Sequence, residues 1–177
     1  GGAETVILNL CEYLSEKYSL AFDFVVHTKE QGFFDNRIKE RGWNIYYAPS
    51  PKKLFEYKKW WKAFFEARQY DIVHGNYRKT SFIYLKEAKK HGVHTICHSH
   101  SSSSSTFKSR FLKKFFTNQI FRYTDYFFGC SKESIQYLLG NKANETSNIA
   151  IIPNTIDSKK YSFSNTVREE LRNKLRV

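Results

Sequence analysis

Short runs of β-branched and aromatic residues alternate with longer amphipathic stretches along most of this chain, and that alternation constrains the fold more than any other feature. Phe22–His27, Trp43–Tyr47, Asp71–His74, the run from Thr95, Asp125–Gly129 and Ile149–Ile152 read as strands. Between them, apolar residues recur at helical spacing: Val6, Ile7, Leu10, Cys11 and Leu14 in Glu4–Lys17, then Leu54, Tyr57, Trp61, Phe64 and Phe65 in the stretch reaching Gln69. Further helices are expected around Phe33–Arg41, Thr80–His91, Phe107–Tyr123 and Ser131–Leu139. A last one carries Val167, Leu171 and Leu175 on one face. Gly42 and Gly92 stand where two of these helices should stop, Ser50-Pro51 should cap and open a third, and Ser131 should cap a fourth. Strands separated by helices require parallel β-α crossovers, so the chain should be an α/β protein with a doubly wound parallel sheet.

The chain is long enough, at 177 residues with 41% hydrophobic content, to bury a core, and disorder is excluded. Lys+Arg of 29 against Asp+Glu of 17 leaves a net charge of +12, which favours an anionic partner: nucleic acid, a phosphorylated substrate or an anionic membrane surface. Cys11, Cys97 and Cys130 are odd in number and set in apolar runs. They read as small buried hydrophobes of a reducing cytosol, with no disulfide framework or metal site. No run approaches the ~20 apolar residues of a membrane span. The sequence opens Gly1-Gly-Ala-Glu and contains no Met, so it is expected to be part of a longer chain.

In open α/β sheets, ligands bind beyond the carboxyl ends of the strands. The strand from Thr95 runs into His98-Ser-His100 and the hydroxyl-rich Ser101–Ser105, the one low-complexity patch. Histidine can act there as a general base or hydrogen-bonding group, or simply as a cap. Gly1-Gly2 before a helix would bring backbone amides and the positive end of a helix dipole to the same crevice, although on that feature alone a plain turn is the better reading of the pair.

Taken in order, Gly1-Gly-Ala-Glu-Thr5, Asp71-Ile-Val-His74, His98-Ser-His100, Gly129-Cys-Ser131 and Ile152-Pro-Asn-Thr-Ile-Asp157 followed by Tyr161 resemble the N-terminal domain of glycosyltransferase family 4. Arg168-Glu-Glu-Leu-Arg172 resembles the helix leading into that family's second domain, and the resemblance points towards bacterial capsular or exopolysaccharide enzymes. It implies the N-terminal half of a GT-B fold with Rossmann-like topology. The first strand, which in the family precedes the Gly-Gly turn, is missing from the chain as given. Residues 1–157 would form the acceptor-side domain and 158–177 the linker and helix towards the absent nucleotide-sugar-binding domain.

The resemblance also implies a retaining transfer of sugar from a nucleotide-sugar to a lipid-linked or saccharide acceptor, without cofactor or metal, at the inner face of the membrane, and a fragment inactive by itself. His100 matches the family's cleft histidine better than His98 and is assigned the catalytic position, with the alternative between the two left open. Gly1 and Gly2 match the loop that approaches the donor diphosphate; His74, Asn76, His98, Ser131 and Asn154 would border the same crevice as substrate-binding residues.

Two other functions remain in view. Lysine-rich helices interleaved with aromatics can bind nucleic acid, but the aromatics here fall on apolar faces and read as core, so no nucleic acid is expected. A dinucleotide-dependent enzyme would need a Gly-x-Gly-x-x-Gly after a strand, and the sequence has none.

Overall fold

The computed structural model describes residues 2–76, 80–101, 110–154 and 162–176. Gly1, most of the serine loop with Lys108, residues 155–160 and Tyr161 lie outside them. Helices α1 (Gly2–Tyr18), α2 (Asp35–Glu40), α3 (Leu54–Glu66), α4 (Ser81–Lys90), α5 (Arg110–Arg122), α6 (Lys132–Leu139) and α7 (Asn165–Leu175) alternate with strands β1 (Asp23–Val26), β2 (Asn44–Tyr47), β3 (Ile72–Gly75), β4 (His94–Ser99), β5 (Tyr126–Gly129) and β6 (Ile149–Ile151). A 3-10 helix over Gly140–Glu145, absent from the periodicity, joins α6 to β6.

All strand pairings are parallel. β1 pairs with β2, and β3-β4-β5-β6 form a second ladder in sequence order. Among the described residues no backbone ladder joins β1 to β3. Side chains connect the parts instead. Tyr70 donates to Asp23 Oδ2 at 2.7 Å, and His27 Nε2 meets the Tyr57 hydroxyl at 2.9 Å.

The main core is aromatic. Tyr57, Trp61, Phe64 and Phe65 of α3 are buried, with Trp61 against Tyr84 of α4 at a ring separation of 4.9 Å. Each such side chain contributes about 1.5–3 kcal/mol through removal from water. These α3 aromatics are therefore core, as their spacing implies, whereas Phe111 and Phe115 of α5, also expected to be core, are 78% and 45% exposed. Lys58, Lys59 and Lys62 of α3 lie exposed, the solvated face opposite an apolar stripe. A smaller core gathers Leu8, Cys11, Ile38 and Trp43, and beside it Arg37 forms a bidentate ion pair with the buried Glu12.

The expected stops are present. Gly42 and Gly92 follow α2 and α4 with φ of 73° and 75°, a conformation glycine adopts without a Cβ penalty. Ser50-Pro51 does not open α3. The helix starts at Leu54 with Lys53 at the cap position and no side-chain cap; Ser50 instead accepts from Lys53 N at 2.9 Å in a preceding turn. Pro51 fixes φ equally well for either role, and the turn prevails. Cys11 and Cys97 are buried as expected, while Cys130 is only half-buried.

At the amino edge of the four-stranded sheet, Asp125 receives bonds from Lys89 Nζ at 2.6 Å, Thr95 N at 2.9 Å and Thr95 Oγ1 at 3.1 Å. Burial opposes its charge, but these donors hold its carboxyl below the usual range. This cluster locks α4, β4 and β5 together at the end of the sheet opposite the histidines.

Candidate functional site

Parallel strands end along one edge, and β3, β4, β5 and β6 all end beside one another. Residues two apart on a strand share a face. His74 and Asn76 are such a pair at the end of β3, and His98 and His100 at the end of β4. Because the strands are neighbours, the fold turns these two pairs into one cluster.

The contacts close on themselves. His74 Nε2 lies 3.2 Å from His98 Nδ1, with the two rings stacked 7° from parallel at a centroid separation of 5.2 Å. The His98 and His100 rings are 3.9 Å apart. His100 Nε2 lies 2.9 Å from Asn76 Oδ1, and Asn76 Nδ2 donates to the His74 carbonyl at 3.3 Å. That last bond orients the amide so that its oxygen faces His100; His100 therefore donates from Nε2 and its Nδ1 is unprotonated. Phe128 of β5 stands edge-on to His74 and His98 at 5.7 and 5.9 Å. Sequence reading did not pick out Phe128, although its place two residues before the Ser131 loop, on the strand beside His98, is the signal that could have found it.

Burial decides the protonation states. It holds His74 down to about 4, helped by the nearby His100, and His98 down to about 3, helped by His100 and His74. His100 is lowered by burial too, with a hydrogen bond to Asn154 working against the shift. All three are neutral near pH 7. They can exchange hydrogen bonds but offer no fixed cation.

His98 and His100 differ in place. His98 lies inside β4 and is 2% exposed, whereas His100 follows the strand, half-buried, between Asn76 and the exposed Asn154. Among the described residues, His98 Nε2 and His100 Nδ1 are both buried without a hydrogen-bond partner.

Ser131 begins the loop-to-helix step after β5. Its Oγ accepts from Ser134 N at 3.2 Å while Ser131 N donates to Ser134 Oγ at 3.1 Å, a reciprocal capping box that anchors α6. Gly129, just before, allows this helix to approach: a Cβ there would stand 2.4 Å from Ser134 Oγ. Gly2 belongs to the other part of the molecule, opening α1, whose buried face contributes to the smaller core.

A histidine, two amides and a helix cap gathered at the carboxyl edge of a parallel sheet suit recognition of polyhydroxylated and phosphorylated ligands. The family model described as Glycosyltransferase Family 4 matches residues 1–160. The chain belongs to glycosyltransferase family 4. EpsF of Bacillus subtilis (strain 168), which carries a provisional glycosyltransferase name, is 27% identical over 178 residues, covering 96% of this chain and 46% of its own. Crystal structures of Anabaena Alr3699/HepE superpose with TM-scores of 0.70 in complex with UDP and 0.72 in complex with UDP-glucose. Each covers 99% of this chain and 46% of the other, at 18% and 17% identity. Acinetobacter baumannii MurG gives 0.58 at 11% identity, over 89% and 43%. The family 4 chain thus spans under half the length of these relatives, and its architecture is that of the N-terminal half of a GT-B fold.

Proposed function

We propose that this domain is the acceptor-side half of a retaining glycosyltransferase that moves a sugar from a nucleotide-sugar to a lipid-linked or saccharide acceptor in cell-surface polysaccharide synthesis. The observation that carries the reading is His100, neutral and half-buried at the end of β4, flanked by Asn76 and Asn154. Glycosyl transfer passes through an oxocarbenium-like transition state with a departing diphosphate, so the useful protein groups are hydrogen bonds on sugar hydroxyls and dipoles at the leaving group. His100 with Asn154 suits the first role, and the Gly1-Gly2 pair of the sequence, whose Gly2 opens α1, suits the second. His74, Asn76 and Ser131 complete the edge of the crevice, with His98 buried behind them, and neither metal nor cofactor is needed. The complexes of HepE with UDP and UDP-glucose support a nucleotide-sugar donor, the kinship with EpsF supports glycosyl transfer, and the polysaccharide product follows from the resemblance of the motifs.

Residues 1–157 are proposed as this domain and 158–177 as the connection to a second, donor-binding domain. α7 carries Val167, Leu171 and Leu175 at 51%, 50% and 68% exposed, an apolar stripe suited to packing on such a domain. Acceptor capture is proposed at the cytoplasmic face of the membrane. On α5, Phe111 and Phe115 are 78% and 45% exposed beside Lys113 and Lys114, a basic amphipathic surface suited to anionic headgroups. No helix of the described residues is long and apolar enough to cross a membrane.

The test is a titration of the full-length protein with UDP-glucose and other nucleotide-sugars, set beside a salt-dependent DNA titration. Saturable nucleotide-sugar binding with release of nucleoside diphosphate on acceptor addition is expected. Tight DNA binding with none of that turnover would refute the reading.

A further inference from the structure

The histidine cluster contains more than a transferase needs to present one imidazole to a cleft, and its arrangement assigns different work to its members. His98 is 2% exposed and lies between two other rings, so it is out of reach of a substrate. Its Nδ1 is bound to His74 Nε2, and its face lies against His100 at 3.9 Å. Phe128 closes the edge of both His74 and His98. Stability by itself does not favour this choice, since apolar residues at 74 and 98 would leave no unpaired nitrogen, whereas His98 Nε2 is buried without a partner among the described residues.

We propose that His98 and His74 are positioning residues for His100: His74 fixes the plane of the His98 ring, and His98 is the wall that sets the plane of the His100 ring. The circuit then runs from His74 to His98 by a hydrogen bond, from His98 to His100 by ring contact, from His100 to Asn76 by a hydrogen bond, and from Asn76 to the His74 carbonyl. Each member limits rotation of the next. His100, the one ring of the three beyond the strand, is held between Asn76 on one side and His98 on the other. Among the described residues, the titratable groups acting on His100 are His98 of its own strand and His74 of β3; Asn76 and, from the segment after β6, Asn154 are its uncharged partners, while Phe128 of β5 stands against His74 and His98.

This inference rests on the proposed transferase reading for its kinetic part, and its spectroscopic part stands apart from it. In the full-length enzyme, His98→Ala removes the wall and His98→Phe restores a ring of similar shape without the nitrogens. Turnover with UDP-glucose as donor probe should fall about tenfold or more in His98→Ala with KM within about twofold, the scale expected when a reacting group is misplaced rather than removed. In His98→Phe it should recover to within about threefold of the parent. The His100 Cε1–H resonance, assigned by its loss in His100→Gln, should titrate at higher pH in His98→Ala as water reaches the ring, and return in His98→Phe. An unchanged His100 titration in His98→Ala overturns the proposal. So does a His98→Phe enzyme as impaired as His98→Ala, which would make the His98 nitrogens direct substrate ligands. If the parent shows no transfer with any nucleotide-sugar, the functional reading fails while the His100 titration still decides the positioning role.

Discussion

Gly129→Ala is a one-carbon change whose effect can be worked out from the site. Gly129 ends β5, and the added Cβ would stand 2.4 Å from Ser134 Oγ, 2.7 Å from Ile135 Cγ1 and 2.9 Å from Ile135 Cδ1. All three atoms belong to the first turns of α6, where Ser134 and Ile135 are buried at 0% and 5% exposed. To make room Ser134 must turn away, and the bond from Ser131 N at 3.1 Å and the one to Ser131 O at 2.8 Å are lost. Losing a cap of this kind costs about 1 kcal/mol, and forcing a methyl group into a packed core costs about 1–3 kcal/mol. Alanine returns about 0.4–1 kcal/mol by restricting the unfolded chain, because Gly129 is not among the glycines at positive φ. The net loss expected is about 2–3 kcal/mol. In urea denaturation of the intact enzyme followed by circular dichroism, with a slope of about 2–3 kcal/mol per molar, the transition of this domain should move down by about 1 M. A midpoint shift under ~0.2 M with unchanged slope would show that α6 slides away freely, and the tight β5–α6 approach would then not be what sets Ser131 at the edge of the site.

His100→Ala in the full-length enzyme should lower transfer by about 10²-fold or more with the melting temperature retained, the usual scale for one pre-organised polar group; normal turnover would remove His100 from the site. Gly2→Ala meets nothing within 4 Å, so the fold should tolerate it, and affinity for the donor diphosphate measured by calorimetry should fall if the α1 amides hold it. His74 and His98 have folded-state pKa values depressed below the unfolded ~6.5, so the unfolded chain binds more protons in acid. Their contribution is present above pH 6.5 and is lost as pH falls from there towards 4; melting temperatures across that window should decline less in the double variant His74→Leu/His98→Leu. The protein should co-sediment with anionic liposomes in a salt-sensitive way, at about 1 kcal/mol per basic residue near the surface. Charge reversal at Lys113 and Lys114 should weaken this more than reversal at Lys58 and Lys59, and equal binding to neutral liposomes would refute a headgroup interaction.

Local physics made much of this protein legible in its sequence. Period-two and period-3.6 patterns depend only on which way successive side chains point, so the strand and helix order could be read directly, and glycine at 42 and 92 marked helix ends because the positive φ adopted there favours a residue without a Cβ. The motif order pointed to family 4, and His74, Asn76, His98 and His100 were all singled out as strand-end residues. Ser50-Pro51 was misread because a proline-led turn and a helix start make the same local demand. The 3-10 helix at Gly140–Glu145 escaped because a single short turn carries no period.

What the sequence by itself determined was which residues reach the carboxyl edge of the sheet; what only the tertiary structure decided was which of them are buried there and against what. Placing β3 beside β4 put His74 within 3.2 Å of His98, and the edge of Phe128 and the ring of His100 then sealed His98 from solvent while leaving His100 half-buried. Burial and pKa shifts arise from neighbours distant in the chain, so no spacing rule within one strand could separate a buried histidine from a half-buried one two residues away.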